Sequence, residues 1–226
     1  MRMNLQFFGG RGAGSGGGGG LPMSFPGGGG GSNRNGVMDA APGEMATAAE
    51  ALGSQGRPMN VTTAVSGANP YYNLGAEYQE NCQRCVIATE ARMRGYDVQA
   101  LPTYENDTMP RNQEYLQNFI GATTNTIHRS TANASRNEVE RQMADMGNGA
   151  RATMAFNWKG ARSGHVINVM QTRGRTRYFD GQTGTEVSAP HLFNAISTSG
   201  SRGIQLTRVD NLAFSDTVNR AVRPHT

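Results

Sequence analysis

The sequence predicts an α+β domain, on three observations. Residues 81–95 and 135–147 have helical spacing, each opening on a capping residue and closing near a glycine. Strand-like runs follow: "ARATMAFNW", "GHVINVMQ" and "RTRYFD", the last two separated by Arg173-Gly174. Helices first and antiparallel strands afterwards imply helix packed on sheet, not alternating βαβ units.

The first helix runs from Asn81, a good N-cap, to Gly95, a good C′ residue. Cys82, Cys85, Val86, Thr89 and Met93 recur along one face of it. In the second, Ser135 and Glu138 form a capping box, Val139, Met143 and Met146 point inward, and Gly147 is the stop. A strand over 150–158 and the hairpin come next, then a "GQTG" turn at 181–184, a short helix in "PHLFNAIS" and a last strand through "GIQLTRVD". The expected domain is 69–215, with 216–226 as a tail.

Residues 1–68 are expected to be a disordered, glycine-rich N-terminal segment. Stretch 9–36 is mostly glycine, which loses the most entropy on ordering and has few side chains to offset it. The "LPMSFP" within it reads as part of a spacer. A short helix from Glu44 and Met45 to Leu52, stopped by Gly53, is expected here without tertiary packing.

The chain has 226 residues, a formal net charge of +4 and a single lysine, Lys159. Its arginines are interleaved with Asp and Glu, which favours a solvated surface over a nucleic-acid stripe. No apolar run approaches membrane-spanning length, and Leu5, Phe7 and Phe8 are too short a run for a signal-peptide core. The expectation is a chain made in the cytoplasm, with reduced thiols and no structural disulfide.

Both cysteines lie in "ENCQRCVIATEARMRGYDVQALP". A structural zinc site wants four Cys or His ligands, and His128, His165, His191 and His225 are far apart with no second cysteine pair, so no metal and no cofactor is expected. A C-x-x-C redox pair suits a fold with strands before the helix, whereas the preceding "NPYYNLGAEYQEN" reads as loop. The third reading is nucleophilic. A thiol at a helix start feels the positive end of the dipole, which favours thiolate. Cys82 sits there, and Cys85, one turn deeper, reads as a packed thiol.

A thiolate nucleophile needs a base, and the base an orienting group. His165 and Asp180 follow in chain order. If the hairpin turns through two residues, Arg173-Gly174, then Ile167 faces Asp180 and His165 faces Gln182. Alternation then puts His165 and Asp180 on one face as diagonal neighbours, with His165 expected to face the cysteine helix. A three-residue turn would put Asp180 on the other face. Taken singly, a strand histidine is usually structural, an Asp before "GQTG" is an Asx-turn residue, and helix cysteines are core. Their order along the chain is what favours the catalytic reading.

These stretches resemble the papain-fold toxin family, Tox-PL, whose members are glutamine deamidases. The resemblance rests on Asn81-Cys82, Gly164-His165, and Asp180 with Gln182, Thr183 and Gly184. It implies a papain-like fold, a cysteine helix on a small antiparallel sheet, and a catalytic triad of Cys82, His165 and Asp180. Papain-like proteases would by their C-x-x spacing point to Cys85; the Asn-Cys match and the nearer helix mouth favour Cys82. Gly181 stands where the family often has Pro, a difference expected only to loosen the turn. The implied chemistry is thiolate attack on a side-chain carboxamide, loss of ammonia, and hydrolysis of the thioester. The Cys82 backbone N–H and Gln79 are the expected oxyanion donors, and Gln182 is expected to support the turn more than line the site.

The implied partner is a protein bearing a target glutamine. The same triad serves a cysteine protease or isopeptidase, and a transglutaminase if an amine replaces water. The opening "MNLQFFGGRGAGSG" resembles the starts of phage and prophage structural or accessory proteins. It adds expectations of phage structural partners, virion association or delivery to a target cell, and the alternative of a non-enzymatic accessory protein.

Overall fold

Two short helices precede the cysteine helix: α1, Ala48–Leu52, and α2, Val61–Ser66. The computed structural model describes residues 43–104, 107, 109, 114–161, 163–197 and 203–225. The expectation for stretch 9–36 lies outside these residues. Helix α1 is held by a capping box, in which Thr47 accepts from the Glu50 N–H and Glu50 accepts from the Thr47 N–H. Asn60 caps α2 through the Thr63 N–H.

Both helices pack. Ala51, Ala64, Val65 and Ala68 are buried, and α1 lies against the 3₁₀ turn Asp216–Arg220 near the C-terminus. The Asn219 amide donates to the Met45 carbonyl at 2.9 Å. Strand β1, Val98–Ala100, pairs with β8, Val222–Pro224. The expected limits of 68 and 215 therefore fall inside the packed structure. Small residues such as Ala51, Ala64 and Ala221 leave a faint periodic signal, yet they are what lets these segments approach closely.

Helix α3, Cys82–Met93, is the cysteine helix at its predicted place. It is buried all round from Arg84 to Met93, not along a single face. Its buried charges are paired. Glu90, with no exposed side-chain surface, accepts from Arg151 Nε and one of its terminal nitrogens, each at 2.8 Å, and from Arg94 Nε at 2.7 Å. Arg84 pairs with Asp107 and donates to the Arg220 carbonyl. Paired, hydrogen-bonded charges are tolerable inside a core.

The main sheet has six strands in the order β2-β7-β3-β4-β5-β6, every pair antiparallel. The strands are β2 Asn125–Ile127, β3 Arg151–Asn157, β4 Gly164–Thr172, β5 Arg175–Asp180, β6 Thr185–Val187 and β7 Ile204–Arg208. On one face α3 packs against Ala155 and Val166, with Asn168 donating to the Val86 carbonyl. On the other, Met154, Ile167, Val169 and Leu206 form a core with helices α4, Ala132–Met146, and α5, Ala189–Ala195. Helix α4 begins a turn before the expected Ser135 box: Thr131, with extended backbone, accepts from the Ala134 N–H. Ser135 is buried inside the helix, and Glu138 pairs with Arg141 and Arg129.

The hairpin turns through Arg173-Gly174. Their φ values of 49° and 73° are both positive, as a two-residue type I′ turn requires. The register is the predicted one: Thr172 opposes Arg175 and Asn168 opposes Phe179.

Candidate active site

Cys82 is the first residue of α3 and half-buried. Asn81 occupies the N-cap position, but its side chain makes no capping bond. Its backbone carbonyl accepts from the Arg84 and Cys85 N–H groups. The side chain is instead a buried hub. Its amide nitrogen donates to the Leu101 carbonyl at 3.0 Å and to Asn69 Oδ1 at 3.3 Å. Its oxygen accepts from Cys85 Sγ at 3.1 Å and from Gln182 Nε2 at 3.4 Å. The backbone just before Cys82 is thus tied to the turn that carries Asp180.

His165 is the second residue of β4, and Asp180 the last of β5. His165 Nε2 lies 3.2 Å from Asp180 Oδ2, with the two side chains 11% and 13% exposed. The strand residues that face α3 are Val166 and Asn168. His165 has the parity of Ile167 and Val169 and directly opposes Phe156. It therefore reaches the cysteine from the end of the strand, not from the helix-facing side expected of it. Trp158 stacks on the imidazole, with ring centres 5.6 Å apart and planes at 21°, and Phe156 meets it edge-on at 5.9 Å. Two aromatic rings cover the His165 imidazole.

The electrostatics follow. Burial alone would lower the His165 pKa; the Asp180 charge, the neighbouring Cys82 and hydrogen bonds to both raise it to about 10. Burial alone would raise Asp180; the His165 imidazolium and a hydrogen bond from the Gln182 N–H hold it below its ordinary value. Burial, then the neighbouring Cys82 and Asp180, push the Cys85 thiol well above its ordinary value. The arrangement favours an imidazolium beside the Asp180 carboxylate, with Cys85 kept as a neutral thiol.

The remaining expected residues divide. Gln182 is buried: its backbone N–H donates to Asp180 Oδ1 at 2.9 Å, its carbonyl accepts from Asn69, and its side chain reaches Asn81. Gln79 donates from its amide to the Tyr72 carbonyl at 3.1 Å and so braces the loop before α3. Cys85 is only 1% exposed. Gly181 does more than loosen the turn: a Cβ there would collide with Thr89 Oγ1 and lie 3.0 Å from the Cys85 carbonyl. Its lack of a side chain lets the Asp180 turn sit on α3.

Four neighbours escaped the sequence reading. Tyr115, buried beside Cys82, shares a 3.3 Å hydroxyl contact with Thr153. Tyr72 feels the Asp180 charge. Asn69 completes the amide hub. Trp158, the chain's sole tryptophan and just before the Gly-His strand, carried a signal in its position. A cavity of about 600 Å³ at the hairpin tip, lined by Thr172, Arg173, Arg175 and Arg177, is formed by none of these residues. Among the described residues no group of three or more His, Cys, Asp or Glu is placed to hold a metal ion.

A helix that starts on a cysteine, set against an antiparallel sheet that supplies a histidine and a carboxylate, defines a papain-like fold. Residues 80–185 match the family described as papain fold toxin 1, glutamine deamidase. No curated protein and no solved structure matches the chain.

Proposed function

We propose that the protein is a cysteine-dependent protein glutamine deamidase with Cys82 as nucleophile, His165 as acid and base, and Asp180 as the orienting carboxylate. The observation that carries this reading is His165 set between Asp180 and Cys82 within a stretch that matches a glutamine deamidase family. The Cys82 thiolate attacks the carboxamide carbon of a substrate glutamine. The backbone N–H at the helix start is the donor nearest the oxyanion that forms. His165, with Nε2 turned to Asp180, uses its other nitrogen to give a proton to the departing ammonia. It then takes a proton from the water that attacks the thioester, and glutamate is released with the thiolate restored.

Cys82 rather than Cys85 fits this role because it is reachable and in contact with His165, whereas Cys85 is buried and donates its proton to Asn81. The substrate is a glutamine-bearing protein. A phage or prophage setting, with virion association, is proposed from the opening residues alone; mass spectrometry of purified virions tests it. The deamidase reading is tested with a glutamine-rich protein substrate, following ammonia release and the amide-to-acid mass change. Ammonia without chain cleavage supports it. Cleavage of the substrate moves the assignment to a protease, and incorporation of an added amine to a transglutaminase. If Cys82→Ala keeps full activity, the nucleophile is misassigned.

A further inference from the structure

Cys85 has no part in the mechanism above. It is nevertheless the chain's other thiol, one helical turn below the proposed nucleophile, with its Sγ pointed at the Asn81 hub. We propose that Cys82 and Cys85 form a peroxide-responsive pair, in which a hydroperoxide oxidises Cys82 and Cys85 captures the product as a reversible disulfide. The inference rests on Cys82 being a reactive thiol and not on which substrate the protein modifies.

The geometry is within reach. Residues three apart on a helix have Cβ atoms about 5–6 Å apart, and a disulfide needs about 3.5–4.5 Å. The gap must close by movement of Cys82, the half-buried first residue of the helix. The Cys82 N–H lies ahead of the helix's own hydrogen-bond ladder. Cys85 is fixed by burial and by its bond from N–H to the Asn81 carbonyl at 3.1 Å. The exposed partner therefore moves toward the buried one.

The chemistry balances. The Cys82 thiolate attacks one oxygen of ROOH, the O–O bond breaks, and ROH leaves with a proton from the His165 imidazolium. Cys82 becomes a sulfenic acid; its sulfur has lost two electrons and the peroxide has gained them. The Cys85 sulfur then attacks the Cys82 sulfur. The S–S bond forms, the S–O bond breaks, and hydroxide leaves with the Cys85 proton as water. Burial keeps Cys85 inert as a thiol until a sulfenic acid forms beside it, and the capture is then intramolecular. Without Cys85 the sulfenic acid is open to further, irreversible oxidation.

The test uses the full chain, hydrogen peroxide at a few equivalents, and mass spectrometry. Arg84 lies between the cysteines, so trypsin separates them unless they are bridged. The wild type should lose two hydrogens, give a linked peptide pair, lose iodoacetamide labelling at Cys82, and recover it fully with dithiothreitol. Cys85→Ser and Cys85→Ala, checked for native circular dichroism, should instead gain two oxygens at Cys82 that dithiothreitol does not remove. Two variants guard against one that fails to fold. Overoxidation of the wild type at the variants' rate, or disulfides only between molecules, overturns the pair. Rapid labelling of Cys82 in untreated protein, together with either result, leaves the nucleophile reading standing; absence of that labelling overturns both.

Discussion

Asp180 serves two partners with its two oxygens: Oδ2 lies 3.2 Å from His165 Nε2, while Oδ1 accepts from the Gln182 N–H at 2.9 Å. The Asx-turn residue and the carboxylate beside His165 are one side chain. Asp180→Asn should keep the turn acceptor and lose the charge. Such a protein is expected to fold with near-normal stability and to lose activity by about 10²–10⁴-fold. Asp180→Ala removes both contacts and should also lower the denaturation midpoint. Equal stability losses in the two variants would show that the turn does not use Oδ1.

Cys82 should alkylate faster than Cys85 at neutral pH, because it is half-buried and beside His165 while Cys85 is buried and held as a thiol. Timed iodoacetamide labelling with peptide mass spectrometry measures the two rates. Faster labelling of Cys85 would transfer the nucleophile role. Cys82→Ala and His165→Ala should each abolish deamidation, and the double variant should be no worse than either.

Stability should fall as pH rises on the alkaline side of neutrality. The folded His165 pKa, about 10, lies above its ordinary 6.5, so the folded state holds a proton that the unfolded state releases in between. The contribution is whole below 6.5, declines above it, and is gone once pH passes about 10. Urea denaturation of wild type and His165→Gln at a series of pH values checks this. The wild type should show the steeper alkaline decline, and parallel curves would contradict it.

Gly181→Ala should destabilise the protein by about 1–3 kcal/mol, since a Cβ there meets Thr89 and the Cys85 carbonyl. Because the same contact seats the Asp180 turn on α3, activity should fall with it. Thr89→Ala in the Gly181→Ala background should relieve part of the loss; no relief would place the clash on the helix backbone.

Glu90→Ala should cost about 3–5 kcal/mol, because it strands Arg151 and Arg94 in a region built around that carboxylate. Thermal or chemical unfolding measures the effect. A loss under about 1 kcal/mol, the range of exposed pairs, would show that water enters and replaces the carboxylate.

Much of this arrangement was legible in the sequence, because it depends on local rules. The period of Cys82–Met93 and its flanking Asn81 and Gly95 locate the helix. Arg173-Gly174 between two strand-like runs marks the turn, and its two-residue length, seen in the structure, sets the register that makes His165 and Asp180 neighbours. Strand alternation has a period of two, so a correct turn length carries the correct face with it. The family resemblance rested on the same short motifs, and the match over residues 80–185 covers them.

Only the tertiary structure decided how the pieces close on one another. No local pattern showed that Ala51, Ala64 and Val222 belong to the core, since small side chains give little periodic signal and gain their burial from segments distant in the chain. The approach of His165 from the strand end depends on where α3 crosses the sheet, which strand alternation does not encode. The Asn81 hub, the stacked Trp158 and the need for a bare Gly181 are likewise contacts between distant segments. The sequence determined which groups stand at the helix start and on the hairpin, and in what local geometry. Packing determined their shelter from water, and it set the Asp180 charge against His165, which holds the proton there in spite of burial.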